Sequence, residues 1–383
     1  MACRPATCAC IRAAGNTATG RAGDCGLKAA REPVGVGATM LLTCQSGYEE
    51  LLRGELAAAG LGAVIESGAG WVRLEERPRP AAGAGSAATG AEFDLCFAHR
   101  ALRNPVEVKG ESVNALAGNL GDWFAETMRG ERIAAAWPSV WQAPIEVPGL
   151  GKRLGSVETE FAAQLKKRLA RVARLAEPEL PRGTGPARGL FVFAADFGRV
   201  FAAREVWLGG QRRMADDPAA PSRSYLKTEE AFAVLGREPA PGESVADLGA
   251  APGGWSYRAA RRGARVVAVD NGPLKGGALD HPLIEHRRED AFKFRPATGA
   301  GYDWLFCDLV EDPHRVLDLV AQWTRQGWCR RLVVNLKFGR ADALALLETV
   351  IRSSGSPVRQ CGRSFVRHLF HDREELTLVG ELR

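Results

Sequence analysis

Two lysines and two carboxylates of this 383-residue chain are candidates for removing a proton from a weakly acidic hydroxyl. A lysine is protonated at neutral pH, so it acts as a base only where desolvation and a neighbouring cation lower its pKa. Carboxylates beside it would orient the base and the substrate. The candidates are Lys227, Asp308, Lys337 and Glu375, with Lys337 as the favoured base. Each of them, taken singly, would also suit a structural ion pair.

Three of these four residues stand at the ends of predicted strands. Asp308 and Lys337 each follow an apolar run that predicts a buried strand, and Glu375 opens the last such run. Open α/β sheets hold their ligands at the carboxyl ends of parallel strands, so we expect Asp308 and Lys337 at one edge. Lys227 precedes this part of the chain.

A glycine-rich segment between a predicted strand and a predicted helix has the character of a nucleoside-binding loop. It reads Asp247-Leu-Gly-Ala-Ala-Pro-Gly-Gly-Trp255, and its glycines would let the backbone approach a ligand closely. Asp270, at the end of the next predicted strand, is placed to accept hydrogen bonds from ribose hydroxyls. The candidate cofactor-binding residues in the loop are Asp247, Gly249, Ala251, Pro252, Gly253 and Gly254.

The spacing of this loop differs from the G-x-G-x-x-G pattern of dinucleotide-binding proteins. Ala251 replaces the second glycine and Pro252 precedes the glycine pair, so a pyrophosphate would fit poorly. S-adenosylmethionine has ribose hydroxyls and an amino-acid end but no phosphate, and it is the cofactor that we predict. Asp290 follows the third predicted strand, where it would meet the adenine amino group; an acidic surface turn is the alternative.

From Glu243 onward, predicted strands and helices alternate. The alternation predicts an α/β fold, a Rossmann-like doubly wound sheet with parallel strands, and the chain then closes with a hairpin. Strands are predicted at 244–248, 264–269, 304–307, 332–336, 365–370 and 376–382, and helices at 254–262 and after Pro313.

The part of the chain before residue 217 predicts an α+β organisation. Met40–Cys44 reads as a strand, and Ser46-Gly-Tyr-Glu49 has the spacing of a capping box for a helix that ends at Gly60. The Pro/Gly/Ala-rich stretch 77–90 predicts a loop or linker. Further short strands are predicted at 64–65, 71–74, 190–193 and 199–206.

A helix predicted over 157–175 has one apolar face and one basic face. The basic face is either a track for a phosphate backbone or an ordinary solvated surface. The apolar residues are Phe161, Leu165, Leu169 and Val172, and the basic ones are Lys167, Arg168, Arg171 and Arg174.

The composition is that of a globular protein, with 46% hydrophobic and 25% charged residues. It excludes disordered, collagen-like and coiled-coil classes.

We find no run of about 18 apolar residues and no apolar signal core, so we expect a cytoplasmic protein. The net charge of +6 suits a polyanionic partner. The nine cysteines form no C-x-x-C pair, which predicts reduced thiols and no metal site. Residues 1–39 are predicted to be a disordered or mis-annotated extension.

Segments spread over residues 220–375 resemble the FtsJ-like ribose 2′-O-methyltransferases, whose tetrad has the order Lys-Asp-Lys-Glu. Within that group they are similar to the THUMP-containing 23S rRNA cytidine 2′-O-methyltransferases, the RlmM family. The resemblance is carried by Ala220–Phe232, Asp247–Trp255, Val269–Pro273, Arg288–Pro296, Gln322-Trp323, Gly327–Cys329, Asn335–Lys337 and His371–Glu375.

The resemblance implies a set of roles and a division into domains. Lys337 would be the proton acceptor, and the S-adenosylmethionine contacts would be Ser224, Ala251 to Gly254, Asp270, Asp290 and Asp308. Ala251 stands where that family often has cysteine, and both residues are small enough for the cofactor. The implied domains are a ferredoxin-like unit at 40–92, a THUMP-like RNA-binding unit at 93–216 and a methyltransferase domain at 217–383.

The implied substrate is a cytidine 2′-hydroxyl in the peptidyl-transferase loop of naked or early-assembly 23S rRNA, and we expect a monomer without an obligate protein partner. Amino-group methyltransferases would show an Asn/Asp-Pro-Pro-aromatic run where Asp308-Leu-Val-Glu-Asp-Pro313 stands. Pyrimidine C5 methylation needs a nucleophilic cysteine, whereas Cys307 is predicted to be buried. A 2′-O-methyltransferase of tRNA or mRNA, and a catalytically silent RNA-binding module, are the alternatives.

Overall fold

The computed structural model describes residues 38–77, 94–297, 300–339 and 341–383. The predictions for residues 1–39 and for the linker at 77–90 lie, apart from residues 38, 39 and 77, outside these ranges. Within the described ranges, two β-sheets with helices packed against them form the fold.

The first sheet has nine strands and is built mostly from antiparallel pairs. Its order is β2-β3-β1-β4-β9-β8-β6-β7, and β5 pairs with β9 beside β4. The strands are β1 (Thr39–Thr43), β2 (Gly62–Gly68), β3 (Trp71–Glu76), β4 (Arg100–Arg103), β5 (Val106–Lys109), β6 (Trp137–Gln142), β7 (Ala176–Glu177), β8 (Gly185–Asp196) and β9 (Arg199–Leu208). Strands from both predicted N-terminal units therefore share one sheet, and the boundary at 92/93 stays a prediction.

Helix α1 (Glu49–Ala59) confirms the predicted helix but not its predicted capping box. Tyr48 is the N-cap residue and its side chain makes no capping hydrogen bond. The Glu49 carboxylate accepts hydrogen bonds from the backbone amides of Gly47 and Gly70, at 2.9 and 2.6 Å. Because this carboxylate ties the helix start to the β2–β3 turn, the local capping pattern is not formed.

The basic helix predicted over 157–175 is longer and is broken. Helix α3 runs over Leu150–Arg168 and the short α4 over Ala170–Arg174, with Leu169 between them in a non-helical conformation. The Trp137 indole donates to the carbonyl of Val172 at 2.9 Å, and the Trp137 amide donates to that of Leu175 at 2.9 Å. These bonds turn α4 onto β6 and break the helix. Together with α2 (Val113–Thr127), α3 packs on the sheet through buried residues that include Phe161 and Leu165.

The second sheet has seven strands in the order β12-β11-β10-β13-β14-β16-β15. The first five are parallel and β16 is antiparallel to both of its neighbours, which confirms the α/β fold with a parallel sheet and a closing hairpin. The strands are β10 (Ser244–Leu248), β11 (Arg265–Val269), β12 (Ile284–Arg287), β13 (Tyr302–Cys307), β14 (Cys329–Lys337), β15 (Cys361–Arg367) and β16 (Glu375–Leu382).

The remaining helices are α5 (Tyr225–Leu235), α6 (Gly254–Ala260), α7 (Pro313–Arg325) and α8 (Ala343–Arg352). Asp312 and Asp342 cap α7 and α8, because each carboxylate accepts hydrogen bonds from two amides of the first turn.

One hydrophobic core joins the two sheets. Leu52 and Leu56 of α1 and Phe97 belong to the same buried cluster as Leu336 of β14 and Leu346 of α8. The amide of His368, just after β15, also donates to the carbonyl of Cys96 at 2.9 Å. Helix α1 and the segment around Phe97 therefore pack against the part of the second sheet that carries Lys337.

Candidate active site

The parallel strands place the predicted site residues along one edge of the second sheet. β10, β11, β13 and β14 run in the same direction, and the glycine-rich loop, Asp270, Asp308 and Lys337 stand at their carboxyl ends. This is the edge at which open α/β sheets bind ligands, as the sequence predicted.

The glycine-rich loop between β10 and α6 has little room for side chains. Gly249 has a φ of +82°, and a Cβ there would lie 2.9 Å from Leu309 and 3.1 Å from the carbonyl oxygen of Asp308. Gly253 also has a positive φ, of +105°. A Cβ on Gly254 would lie 2.8 Å from the Ser224 hydroxyl. The fold thus brings Ser224 to this loop, and only glycines keep its backbone open to a ligand.

Asp270 holds the glycine-rich loop in place. Its carboxylate accepts hydrogen bonds from the amide of Ala251 at 3.0 Å and from that of Gly272 at 2.7 Å. A carboxylate has about four acceptor positions, so two further ones are left for donors such as ribose hydroxyls.

Asp247 and Asp290 occupy very different surroundings. Asp247 is 1% exposed and accepts a hydrogen bond from the Ser256 hydroxyl at 2.6 Å. Burial raises the pKa of its carboxyl to about 7. Asp247 therefore lies beneath the loop and ties it to α6. Asp290 is exposed in the turn after β12, where its carboxylate accepts from the amide of Phe292 at 2.9 Å.

The four residues of the predicted tetrad form two ion pairs. Lys337 contacts the carboxylate of Asp308, and its Nζ also donates to the carbonyl of Leu309 at 3.2 Å. Lys227, on the first turn of α5, contacts the carboxylate of Glu375 at the start of β16. The Lys227 and Glu375 side chains are only 12% and 8% exposed, so this pair is shielded from water.

The two lysines differ in their electrostatic surroundings. Burial lowers the pKa of Lys227, but the carboxylates of Asp308, Glu375 and Asp372 outweigh that effect, so its pKa is raised overall. Lys227 therefore remains a cation at all physiological pH values. A group that stays charged is suited to hold an oxygen that gains negative charge, and Lys337 is then the candidate for accepting a proton.

Comparison with known proteins identifies the family. Residues 220–383 match the family model of the FtsJ-like methyltransferases. The ribosomal RNA large subunit methyltransferase M of Halorhodospira halophila is 39% identical over 278 residues, which are 69% of this chain and 78% of that protein. The protein of the same name from Alkalilimnicola ehrlichii is 35% identical over 371 residues, 89% of this chain and 93% of its own length.

The chain belongs to the ribosomal RNA large subunit methyltransferase M family. Family membership makes it an S-adenosylmethionine-dependent methyltransferase, in agreement with the predicted cofactor. A solved rRNA methylase from Streptococcus thermophilus aligns with 42% of this chain and 98% of its own length, with 14% identity and a TM-score of 0.30.

Three residues of the predicted tetrad, Lys227, Lys337 and Glu375, line a cleft of about 740 Å³ beside the carboxyl end of β14 and the first turn of α5. Six lining residues were not selected from the sequence: Arg223, Leu226, Gly339, His371, Arg373 and Glu374. All but Gly339 stand inside the segments that carried the resemblance. Arg223, Arg373 and Glu374 are exposed at the mouth of the cleft, and Arg223 forms an ion pair with Asp216 at 3.0 Å. His371 accepts from the amide of Met214 at 3.0 Å, and burial, with Arg213 and Arg223 nearby, lowers its pKa to about 4.

Neither a metal-binding group nor a reactive cysteine is found among the described residues. Within the described ranges no group of three His, Cys, Asp or Glu side chains could hold a metal ion. Five of the nine cysteines lie in those ranges, all free and buried, and burial raises the pKa of Cys307 to about 12. A thiol in that state is a poor nucleophile at neutral pH. Among the helices that the structure describes, none is long and apolar enough to cross a membrane.

Proposed function

We propose that this protein methylates the 2′-hydroxyl of a cytidine in the peptidyl-transferase loop of 23S rRNA. The observation that carries the proposal is the pairing of Lys227 with Glu375 and of Lys337 with Asp308, with Lys227, Lys337 and Glu375 lining one cleft. The relatives' name, ribosomal RNA large subunit methyltransferase M, supports large-subunit rRNA as the substrate. The implied nucleotide and loop come from the family resemblance.

Each tetrad residue has a distinct task in this reaction. S-adenosylmethionine supplies, when bound, a methyl group on a sulfonium that leaves as a neutral thioether. The ribose oxygen forms the new bond to the methyl carbon as the bond from that carbon to sulfur breaks, and the hydroxyl proton passes to Lys337 Nζ. Asp308 orients Lys337, and the charged Lys227, held by Glu375, stabilises the negative charge that develops on the oxygen.

The cofactor would be held along the edge formed by β10, β11, β12 and β13. The glycine-rich loop leaves space for its amino-acid end, while Asp270 and Asp290 follow β11 and β12 with carboxylates that can accept from ribose and adenine. Ser224 extends this surface toward the tetrad, because its hydroxyl lies over Gly254 only one turn of chain before Lys227.

The region before residue 217 is proposed to bind the RNA, as a ferredoxin-like unit followed by a THUMP-like unit. The exposed residues Lys167, Arg168, Arg171 and Arg174 on α3 and α4 support an electrostatic contribution from this region. Arg223 and Arg373 at the mouth of the cleft are placed to contact phosphates next to the target ribose.

Methylation of a base is less well supported than methylation of a ribose. The segment after β13 lacks the Asn/Asp-Pro-Pro-aromatic run of amino-group methyltransferases, and Cys307 is buried with a raised pKa. A 2′-O-methyltransferase acting on tRNA or mRNA uses the same tetrad, so only the product can separate that alternative from the proposal.

The test is transfer of labelled methyl from S-adenosylmethionine to deproteinised 23S rRNA from a strain that lacks the enzyme. Nucleoside analysis of the product should give 2′-O-methylcytidine. Label in a base, or in tRNA alone, contradicts the proposal. Because the peptidyl-transferase loop is enclosed in the finished subunit, we expect naked rRNA to be methylated and mature 50S subunits to be inert; efficient labelling of 50S subunits would rule out an early-assembly substrate.

A further inference from the structure

The loop that delivers Glu375 to the active site is held by residues from distant parts of the chain. This β15–β16 loop covers residues 368–374 and ends directly at Glu375. The amide of Arg373 donates to the Glu375 carboxylate at 3.3 Å, so the orientation of the Arg373 peptide and that of the carboxylate are linked.

The carbonyl of Arg373 accepts two hydrogen bonds. One comes from the Tyr48 hydroxyl at 2.8 Å, and the other from Nε2 of His368, also at 2.8 Å. The Tyr48 ring lies against the His368 ring, with 4.1 Å between the centroids. Both acceptor positions of this carbonyl are therefore used, and one donor is the N-cap residue of α1, which packs on the first sheet.

A second anchor comes from the helix that carries Lys227. Glu230, fully buried on α5, accepts from the amides of Phe370 at 2.9 Å and His371 at 3.2 Å. Glu230 stands three residues after Lys227, so both members of the Lys227–Glu375 pair are fixed to the same helix, one directly and one through the loop.

We propose that Tyr48 is a positioning residue for methyl transfer, because its hydroxyl holds the carbonyl of Arg373, the residue whose own amide donates to the Glu375 carboxylate that contacts Lys227. This inference rests on the tetrad role assigned above. It makes the start of α1, in the N-terminal part of the chain, a structural component of the catalytic centre rather than only of RNA binding. Without the hydroxyl, the Arg373 carbonyl keeps His368 as its one donor, and Glu375 samples orientations that contact Lys227 less well.

The substitution Tyr48→Phe removes only this hydroxyl and leaves the ring on His368. Single-turnover transfer of label to 23S rRNA, at saturating cofactor and RNA, should slow about five- to tenfold. The Kd values for S-adenosylmethionine and for RNA should stay within about twofold of the wild type. Tyr302→Phe is the matched control, since its hydroxyl lies at the start of β13, at the opposite edge of the sheet from Asp308; its rate should not change.

A double-mutant cycle separates a positioning role from a general structural one. In the Glu375→Gln background, Tyr48→Phe should lower the transfer rate by less than about twofold, because the carboxylate that Tyr48 positions is already absent. The inference would be overturned if the rate losses of Tyr48→Phe and Glu375→Gln multiply in the double variant. It would also be overturned if Tyr48→Phe has an unchanged rate, or if it loses only affinity for RNA.

The transfer assay counts labelled methyl on any acceptor atom of the RNA. The effect of Tyr48→Phe is therefore measured even if nucleoside analysis shows that the acceptor is not a ribose hydroxyl. Glu230→Gln is a second variant on the same loop. It keeps an acceptor for Phe370 but places an amide nitrogen near the amide of His371, so it should also slow transfer without weakening cofactor binding; a wild-type rate in this variant would count against the anchoring of the loop.

Discussion

Lys337 and Glu375 lie directly opposite one another across the antiparallel pair formed by β14 and β16. Directly opposed residues in such a pair project from the same face of the sheet. Seven consecutive pairs, from Arg331 with Glu381 to Lys337 with Glu375, fix this register. A slip of one residue would send the Glu375 side chain to the other face, so the ladder itself specifies the geometry of the proposed tetrad.

Lys337→Ala should abolish methyl transfer and leave the affinity for S-adenosylmethionine within a few-fold of the wild type. The lysine stands in the cleft with Lys227 and Glu375, where it can reach the hydroxyl. Transfer is measured with labelled cofactor and affinity by calorimetry. Lys152→Ala, an exposed lysine on α3, is the control and should behave as the wild type. A comparable loss of cofactor affinity would reassign Lys337 to binding.

Gly249→Ala should weaken S-adenosylmethionine binding at least about tenfold. A Cβ at this position would meet Leu309 and the Asp308 carbonyl, and the loop would have to move to relieve the contact. Gly242→Ala is a matched control, because Gly242 has a similar φ of +84° but nothing within 4 Å of the added atom. Both variants should lose about 1–2 kcal/mol of stability from the left-handed backbone, while calorimetry detects the affinity loss only in Gly249→Ala. Equal affinities in the two variants would show that the loop does not contact the cofactor.

Asp247→Asn should stabilise the protein at pH 8.5 but not at pH 4. Burial raises the pKa of Asp247 to about 7 in the folded state, against about 3.9 in an unfolded chain. The folded protein therefore binds this proton more tightly, and stability falls as pH rises from about 4 to 7. The side-chain oxygen of asparagine can still accept a hydrogen bond from Ser256. Asparagine does not ionise, so this loss of stability with rising pH does not occur.

Thermal unfolding of the Asp247→Asn protein should accordingly show a Tm about 3 °C or more above the wild type at pH 8.5. The exposed Asp318 on α7 supplies the control variant, Asp318→Asn, which should show no pH-dependent difference. A gain in Tm that is equal at both pH values would mean that ionisation of Asp247 is not its cause.

Reversal of charge at Lys167 and Arg171 should weaken binding of 23S rRNA and reduce its dependence on salt. Each phosphate contact that is lost lowers the slope of log affinity against log salt by about 0.7–0.9. Filter binding between low and moderate salt measures both quantities. Arg325→Glu, at the end of α7, is the control for a change in net charge. An unchanged slope would mean that this basic surface is simply solvated.

The position of the glycine-rich loop and the shared edge of Asp308 and Lys337 could be predicted, because each follows a local strand pattern. The glycines of Asp247–Trp255 predict its turn. Asp308 and Lys337 each follow an apolar strand, and the carboxyl ends of parallel strands lie at the same edge of the sheet. The alternation of strands and helices likewise predicted the parallel sheet, whereas the roles of the two ion pairs stay predictions.

The residues that sequence reasoning missed depend on contacts between distant segments. Tyr48 lies 325 residues before its hydrogen-bond partner, and Glu230 lies about 140 before Phe370 and His371. The break at Leu169 likewise results from bonds made by Trp137. No periodicity or spacing within one segment contains such information, because it arises only when the sheets pack together.

The position of β16 in the sheet also determines the order in which parts of the proposed site can form during protein synthesis. β16 lies between β14 and β15, although it leaves the ribosome after both of them. The edge strand β15 must therefore wait for a partner that has not yet been translated, and Glu375 reaches Lys227 only when β16 has been inserted. A nascent chain can form the glycine-rich loop first, and under the proposed mechanism it gains methyl-transfer activity only after β16 has been inserted.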